Sequence, residues 1–244
     1  METKTTNYVY DEVIQIEDAD ASRKFIAKVF FWMFIALGIS ALCTYIFAFM
    51  PELAQMLRNP ETNRNTPLGT IVMFAPFAFV LVISFGFNKL SYFTAVLLFL
   101  AFSAVMGISL SYIFLIYSIG TISGVFITAS VVFGVMAVGG YITTQDLTKF
   151  GSIMIMLLIG IVVASVLNMF MQSGSLDLII SYVGVAVFVG LTAYDVQKLK
   201  RIGAGIEYGD ASGNKMAILG ALTLYLDFIN LFLMLLRVFG GNRR

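Results

Sequence analysis

Met216-Ala-Ile-Leu-Gly-Ala-Leu-Thr-Leu-Tyr-Leu-Asp-Phe-Ile-Asn-Leu-Phe-Leu-Met-Leu-Leu-Arg237 is a stretch built for hydrocarbon, with Asp227 placed near its middle. A carboxylate at bilayer depth costs roughly 2.5–3.5 kcal/mol on insertion scales, so it normally faces a protein interior or a watery cavity. Gly220, Thr223, Asp227, Asn230, Met234 and Arg237 recur at three- and four-residue intervals, which draws one polar face along an otherwise apolar helix. That face needs partners. The segment is therefore predicted to be the central helix of a bundle, with its polar stripe turned inward.

The rest of the chain supplies the bundle. Hydrophobic residues make up 59% and charged residues 12%, about half the charge of an ordinary soluble domain, and mean hydropathy is +0.93. Seven apolar runs are predicted to be transmembrane helices, near Phe25–Met50, Leu68–Phe87, Tyr92–Leu115, Ile122–Tyr141, Phe150–Met171, Leu178–Val196 and Met216–Phe239. About 20 residues rising 1.5 Å each cross a hydrocarbon core of about 30 Å, and unbroken runs of this length favour helices over barrel strands. The expected fold is an all-α membrane protein, a seven-helix bundle over residues 23–244 that meets the lipid bilayer on its outer faces. Residues 1–22 carry six acidic side chains against Lys4 alone, an acidic tail without the basic start or cleavage site of a signal peptide.

Counting basic residues sets the expected orientation. Ten fall on the side that holds the N-terminus and five on the other, which puts the tail in the cytoplasm and, with an odd number of spans, the C-terminus outside. A six-span arrangement with a re-entrant last segment stays open, because Arg237, Arg243 and Arg244 would then lie inside. Two stripes of small residues, Ser103-Gly107-Ser111 and Gly160-Ala164-Asn168, are expected packing faces. Asn168 is in addition a candidate for an ion path.

Asp195, in Gly190-Leu-Thr-Ala-Tyr-Asp-Val-Gln-Lys-Leu-Lys-Arg201, is the natural partner for Asp227. It stands about two turns before the basic cluster Lys198, Lys200 and Arg201. If the helix runs on past Lys200, with those long side chains reaching to the surface, the two carboxylates can meet. Such a dyad shares one proton and titrates as a unit, which matters in a chain without histidine. It is also a hard oxygen site that suits Ca²⁺ when carbonyls or water complete the shell. Thr223, Asn230 and Tyr194 are candidates to support the dyad or line a path. The residues leave a second reading open, in which Asp195 only balances the basic cluster and Asp227 bonds to a Tyr or Asn of its own bundle.

Leu191-Thr-Ala-Tyr-Asp-Val-Gln-Lys-Leu-Lys200 followed by Leu224-Tyr-Leu-Asp-Phe-Ile-Asn-Leu-Phe-Leu-Met-Leu-Leu-Arg237 resembles the paired signatures of the Bax inhibitor family, the transmembrane Bax-inhibitor-motif proteins. The resemblance covers Arg23 to Gly240 and is bacterial in style, which with the lack of organelle signals implies a bacterial inner membrane. It implies a seven-helix bundle with the last helix central and a pH-dependent Ca²⁺ leak governed by two aspartates, here Asp195 and Asp227. Bacterial members latch the sixth-helix aspartate to an arginine at the cytoplasmic end of the second helix. Lys89 holds that place here, and a lysine is a point donor rather than a bidentate fork, so the latch is expected to be weaker. Lys89 also reads as a plain interfacial lysine.

Other classes fit less well. The chain lacks histidine and has one cysteine, Cys43, and no hydrolase or metal motif, so no enzyme, organic cofactor or nucleic-acid partner is expected. A retinal pump would need a lysine in the seventh span, and there is none. A proton-coupled solute transporter would show substrate-dependent proton uptake. The alternative of a different kind is a non-conducting regulator of membrane protein quality control or stress survival, with the acidic tail as the handle for a membrane protease.

Overall fold

The structure is a computed structural model and describes residues 5–62, 64–86, 90–205 and 211–240. The described residues form nine helices: α1 (Thr5–Phe49), α2 (Pro51–Leu57), α3 (Pro67–Gly86), α4 (Tyr92–Leu110), α5 (Ile113–Ile116), α6 (Ile119–Ile142), α7 (Thr148–Met171), α8 (Gly174–Ala204) and α9 (Ala211–Phe239). Their limits follow local chemistry. Ser91, Ser118 and Ser173 each cap a helix by accepting from the backbone N–H three residues on, at 3.2, 3.1 and 3.3 Å. Pro51 and Pro67 open α2 and α3, where the missing N–H costs nothing. Gln172 closes α7 in the left-handed region at φ 51°.

Among the described residues six helices are long and apolar enough to cross a membrane: Asp20–Phe49, Tyr92–Ile116, Ile119–Ile142, Thr148–Met171, Gly174–Ala204 and Gly213–Phe239. The molecule is all-helical and multi-pass. The place of the expected second span is held by α3, whose apolar stretch Pro67–Ile83 is shorter than the other six and carries Pro76 in its interior. Several limits differ from those expected. Helix α8 continues eight residues beyond Val196, and α9 starts five before Met216, where polar side chains find partners on other elements, Lys200 at the Tyr141 carbonyl, Arg201 at Asp146 and Asn214 at Lys28. Helix α1 likewise runs back to Thr5, so no helix end separates the acidic tail from the first span.

Packing is uneven among the helices. Helix α9 packs against α1, α4, α6 and α8 and buries most of its length, including Ala217, Ala221, Leu224, Tyr225 and Leu231 with no exposed surface. Helix α7 packs against α8 alone among its principal contacts and leaves Ile159, Met169 and Phe170 outward, as a lipid-facing helix does. Close approach depends on small residues at two crossings. A Cβ added to Gly107 of α4 would collide with the Ser40 carbonyl of α1, and one added to Gly140 of α6 would collide with the Ala193 carbonyl of α8. The expected Gly160-Ala164-Asn168 face is corrected at Gly160, which is exposed with open space around it, whereas Ala164 packs against the core. The side of α7 that meets the bundle also carries Gly151, Met154, Leu158 and Ile161.

Candidate functional site

The polar stripe of α9 lies along α8 in antiparallel register. Gly220 is set against the Leu199 side chain, Asp227 against Asp195, and Met234 against Gly184. At the end of the stripe Arg237 pairs with Asp177 at 3.5 Å. Helix α8 runs nine residues past Asp195 to Ala204, which at about 1.5 Å per residue sinks Asp195 roughly 13 Å below the helix end and to the level of Asp227.

Asp195 and Asp227 are joined side chain to side chain by a hydrogen bond and keep 9% and 6% of their surface exposed. A hydrogen bond between two carboxyl groups requires a proton on one of them. The second carboxyl oxygen of Asp227, Oδ2, is fully buried and has no hydrogen-bond partner. Lys198, one turn along α8, places its charge near Asp195 and its Nζ 6.0 Å from the Tyr194 ring centre. No group of three or more His, Cys, Asp or Glu that could hold a metal occurs among the described residues. Two carboxylates alone fall well short of the six to eight oxygens of a settled Ca²⁺ site.

The other candidates are dispersed. Thr223 donates back to the Leu219 carbonyl at 3.1 Å, as a helical threonine on a half-buried face does. Asn230 is half-buried one turn beyond Asp227. The ring of Tyr194 occupies the space beside Gly151 of α7. Asn168 is away from the pair, at the far end of α7, where its Oδ1 accepts from Ser173 N at 3.0 Å; it closes a helix end rather than lining a path through the dyad. Lys89, the candidate latch, lies outside the described residues.

Two features of the site went unread in the sequence. Tyr225 gives α9 a second polar face, turned away from the dyad toward α1 and α4. Its hydroxyl donates to Ser40 Oγ at 2.7 Å, and Ser40 donates in turn to the Ser103 carbonyl at 2.7 Å, while the rings of Phe99 and Phe102 meet the Tyr225 ring edge to face. Gln197 is the other. Buried two residues after Asp195, it accepts from Leu147 N at 2.9 Å and donates to the Gln145 carbonyl at 2.7 Å, which ties α8 to the α6–α7 loop. Nothing local in the sequence says that an interfacial glutamine will bond a loop 50 residues away.

Of the basic cluster, Lys198 stands near Asp195 while the other two turn elsewhere. Lys200 donates to the Tyr141 carbonyl at 2.8 Å and Arg201 pairs with Asp146 at 2.8 Å. Bonds from Thr148 and from the Arg201 guanidinium hold the Asp146 carboxyl well below the usual carboxylate range. A depressed value in the folded state means stabilisation that is present above about pH 4, where the unfolded carboxyl is ionised, and is lost as the pH falls through the folded value. Asp146 is fully exposed, so the effect is small. Asp146→Asn should lower the thermal midpoint slightly at pH 7, and scans in strong acid should show the two proteins converging.

Comparison with known proteins places the chain among membrane proteins of one type. The family model described as Inhibitor of apoptosis-promoting Bax1 matches residues 22–244. Inner membrane protein YbhL of Escherichia coli (strain K12) is 44% identical over 220 residues, which cover 90% of this chain and 92% of that protein. A protein of Borreliella burgdorferi is 45% identical over 221 residues, 90% of this chain and 93% of its own. A protein of Rickettsia prowazekii is 40% identical over 245 residues, 99% and 96% of the two chains.

Proposed function

Since this chain belongs to the Bax inhibitor family, we propose that it is a pH-sensitive Ca²⁺ leak in which the Asp195–Asp227 pair holds the controlling proton. The observation that carries this reading is the pair itself: two buried carboxyl groups joined by a hydrogen bond, with Oδ2 of Asp227 left without a partner. A buried polar atom without a partner costs about 1–3 kcal/mol, and a bundle that keeps one has a use for it. A site of only two carboxylates suits an ion in passage, because Ca²⁺ bound there would retain most of its water. Protons and Ca²⁺ then compete for the same oxygens.

In this reading the bundle has seven spans with α9 at its centre. The 20 residues of α3 reach about 30 Å at 1.5 Å each, and the four helices around α9 support the placement. The ten-to-five division of basic residues puts the N-terminus in the cytoplasm and the C-terminus outside. The membrane is a bacterial inner membrane, as the name of the Escherichia coli relative suggests.

The test is Ca²⁺ flux into liposomes holding the pure protein, followed across pH for wild type, Asp195→Asn and Asp227→Asn. Each variant should lose the pH dependence. If both variants conduct and respond to pH as wild type does, the reading fails. A second reading, a non-conducting regulator whose acidic tail is grasped by a membrane protease, draws on one contact: Ser22 Oγ donates to the Lys200 carbonyl at 2.9 Å and so ties the start of the first span to α8 just beyond Asp195. Under that reading, deleting the tail abolishes the cellular effect and both aspartate variants retain it.

A further inference from the structure

Two adjoining hollows open from the end of the bundle at which α1 meets α2. The outer one, about 660 Å³, lies beneath α2 and is bounded by α1, α2 and the α4–α5 turn. Arg58 is the one charged side chain in its lining among the described residues, set near the Tyr112 ring. The inner hollow, about 230 Å³, runs between α1, α4, α6 and α9 at the depth of the spans. Phe114 lines both, and it meets Phe49 edge to face at 5.3 Å.

The two differ in chemistry. The inner hollow has Leu110, Ile229 and Phe232 in its wall, and the hydroxyls of Ser40 and Thr44 are already engaged with backbone carbonyls of α4 at 2.7 Å. It offers hydrocarbon and little else. The outer hollow offers a cation and an aromatic rim at the level where the helices end, which is where aromatic side chains meet lipid headgroups. A polar mouth that leads past one aromatic ring into an apolar slot within the spans has the form of an amphiphile lying along the helices.

We propose that these hollows are one binding site for a bilayer phospholipid with an anionic headgroup, the headgroup against Arg58 and one acyl chain past Phe114 into the slot. The commitment to a lipid rests on depth, since the slot sits among membrane-spanning helices where acyl chains are the surrounding medium. The commitment to an anionic one rests on the positive charge of Arg58 in the lining of the mouth.

Native mass spectrometry of the intact protein in detergent tests this with dioleoylphosphatidylglycerol and dioleoylphosphatidylcholine, which share their chains. Wild type should retain one phosphatidylglycerol with about a fivefold preference, as one basic residue near a headgroup provides. Arg58→Gln should remove the preference and Arg58→Lys should keep it. Ala41→Trp, which fills the slot from its rim, should release both dioleoyl lipids while still binding dihexanoylphosphatidylglycerol, whose short chains stop in the mouth. Absence of headgroup preference in wild type, preference that survives Arg58→Gln, or long-chain lipid held by Ala41→Trp as tightly as by wild type would each overturn the proposal.

Discussion

Gly140→Leu is expected to unsettle the bundle and the aspartate pair together, while Gly139→Leu, one residue away, is expected to leave both intact. The two glycines share helix α6 and differ only in what they face. Nothing stands within 4 Å of a Cβ at Gly139, whereas at Gly140 it would lie 2.8 Å from Ala193 Cα and collide with the Ala193 carbonyl. Backbone cannot rotate aside as a side chain can, so α6 and α8 must part. Overpacking of this kind costs about 1–3 kcal/mol even for one or two added carbons, and a whole Leu side chain should exceed that. For a chain of this size the thermal midpoint moves roughly 2–4 °C per kcal/mol. Ala193 is two residues before Asp195, so the displacement is delivered to the dyad. Gly140→Ala, milder, should therefore alter the pH response of Ca²⁺ flux while most of the protein still folds. If Gly139→Leu and Gly140→Leu lower the midpoint equally, the tight crossing is not where the structure places it.

The stripe on α9 was legible because both its period and its cost are local. Polar residues at three- and four-residue intervals in a run otherwise fit for lipid have one acceptable orientation, and the register against α8 from Gly220 to Arg237 is that orientation. Asp195 was harder, since its depth depends on whether a helix continues through Lys198, Lys200 and Arg201. The sequence permits that and does not require it. What escaped reading was chosen by tertiary structure. Tyr225 looks like one more large residue in an apolar run until Ser40, 185 positions earlier, is placed opposite its hydroxyl. The Ser103-Gly107-Ser111 stripe and the Gly160-Ala164-Asn168 stripe have the same form, yet only the first meets a neighbouring backbone at its glycine. Small residues permit close approach, and whether a helix arrives is decided elsewhere.

Removing both aspartates should stabilise the protein where removing one weakens it. In Asp227→Leu the carboxyl of Asp195 remains buried and loses its hydrogen-bond partner, and the same holds in reverse for Asp195→Leu. A buried polar group left unsatisfied costs about 1–3 kcal/mol. In Asp195→Leu/Asp227→Leu no such group is left, the unpartnered Oδ2 of Asp227 is gone, and two apolar side chains meet among Leu191, Leu231 and their neighbours. Replacement of a buried charged pair by packed apolar residues is commonly neutral or stabilising by about 1–4 kcal/mol. The double-mutant cycle should thus give a coupling of at least about 2 kcal/mol, read from chemical or thermal unfolding in detergent at pH 7. Ca²⁺ flux in liposomes should move the opposite way, with the double variant folded, stable and without pH response. Losses that simply add would mean that the two side chains contribute independently, and the case for a shared, controlling proton would fall with that result. If the bundle proves more stable without its two buried acids, they are retained for what they do, and a controlling proton beside the unpartnered oxygen of Asp227 is the use proposed for them.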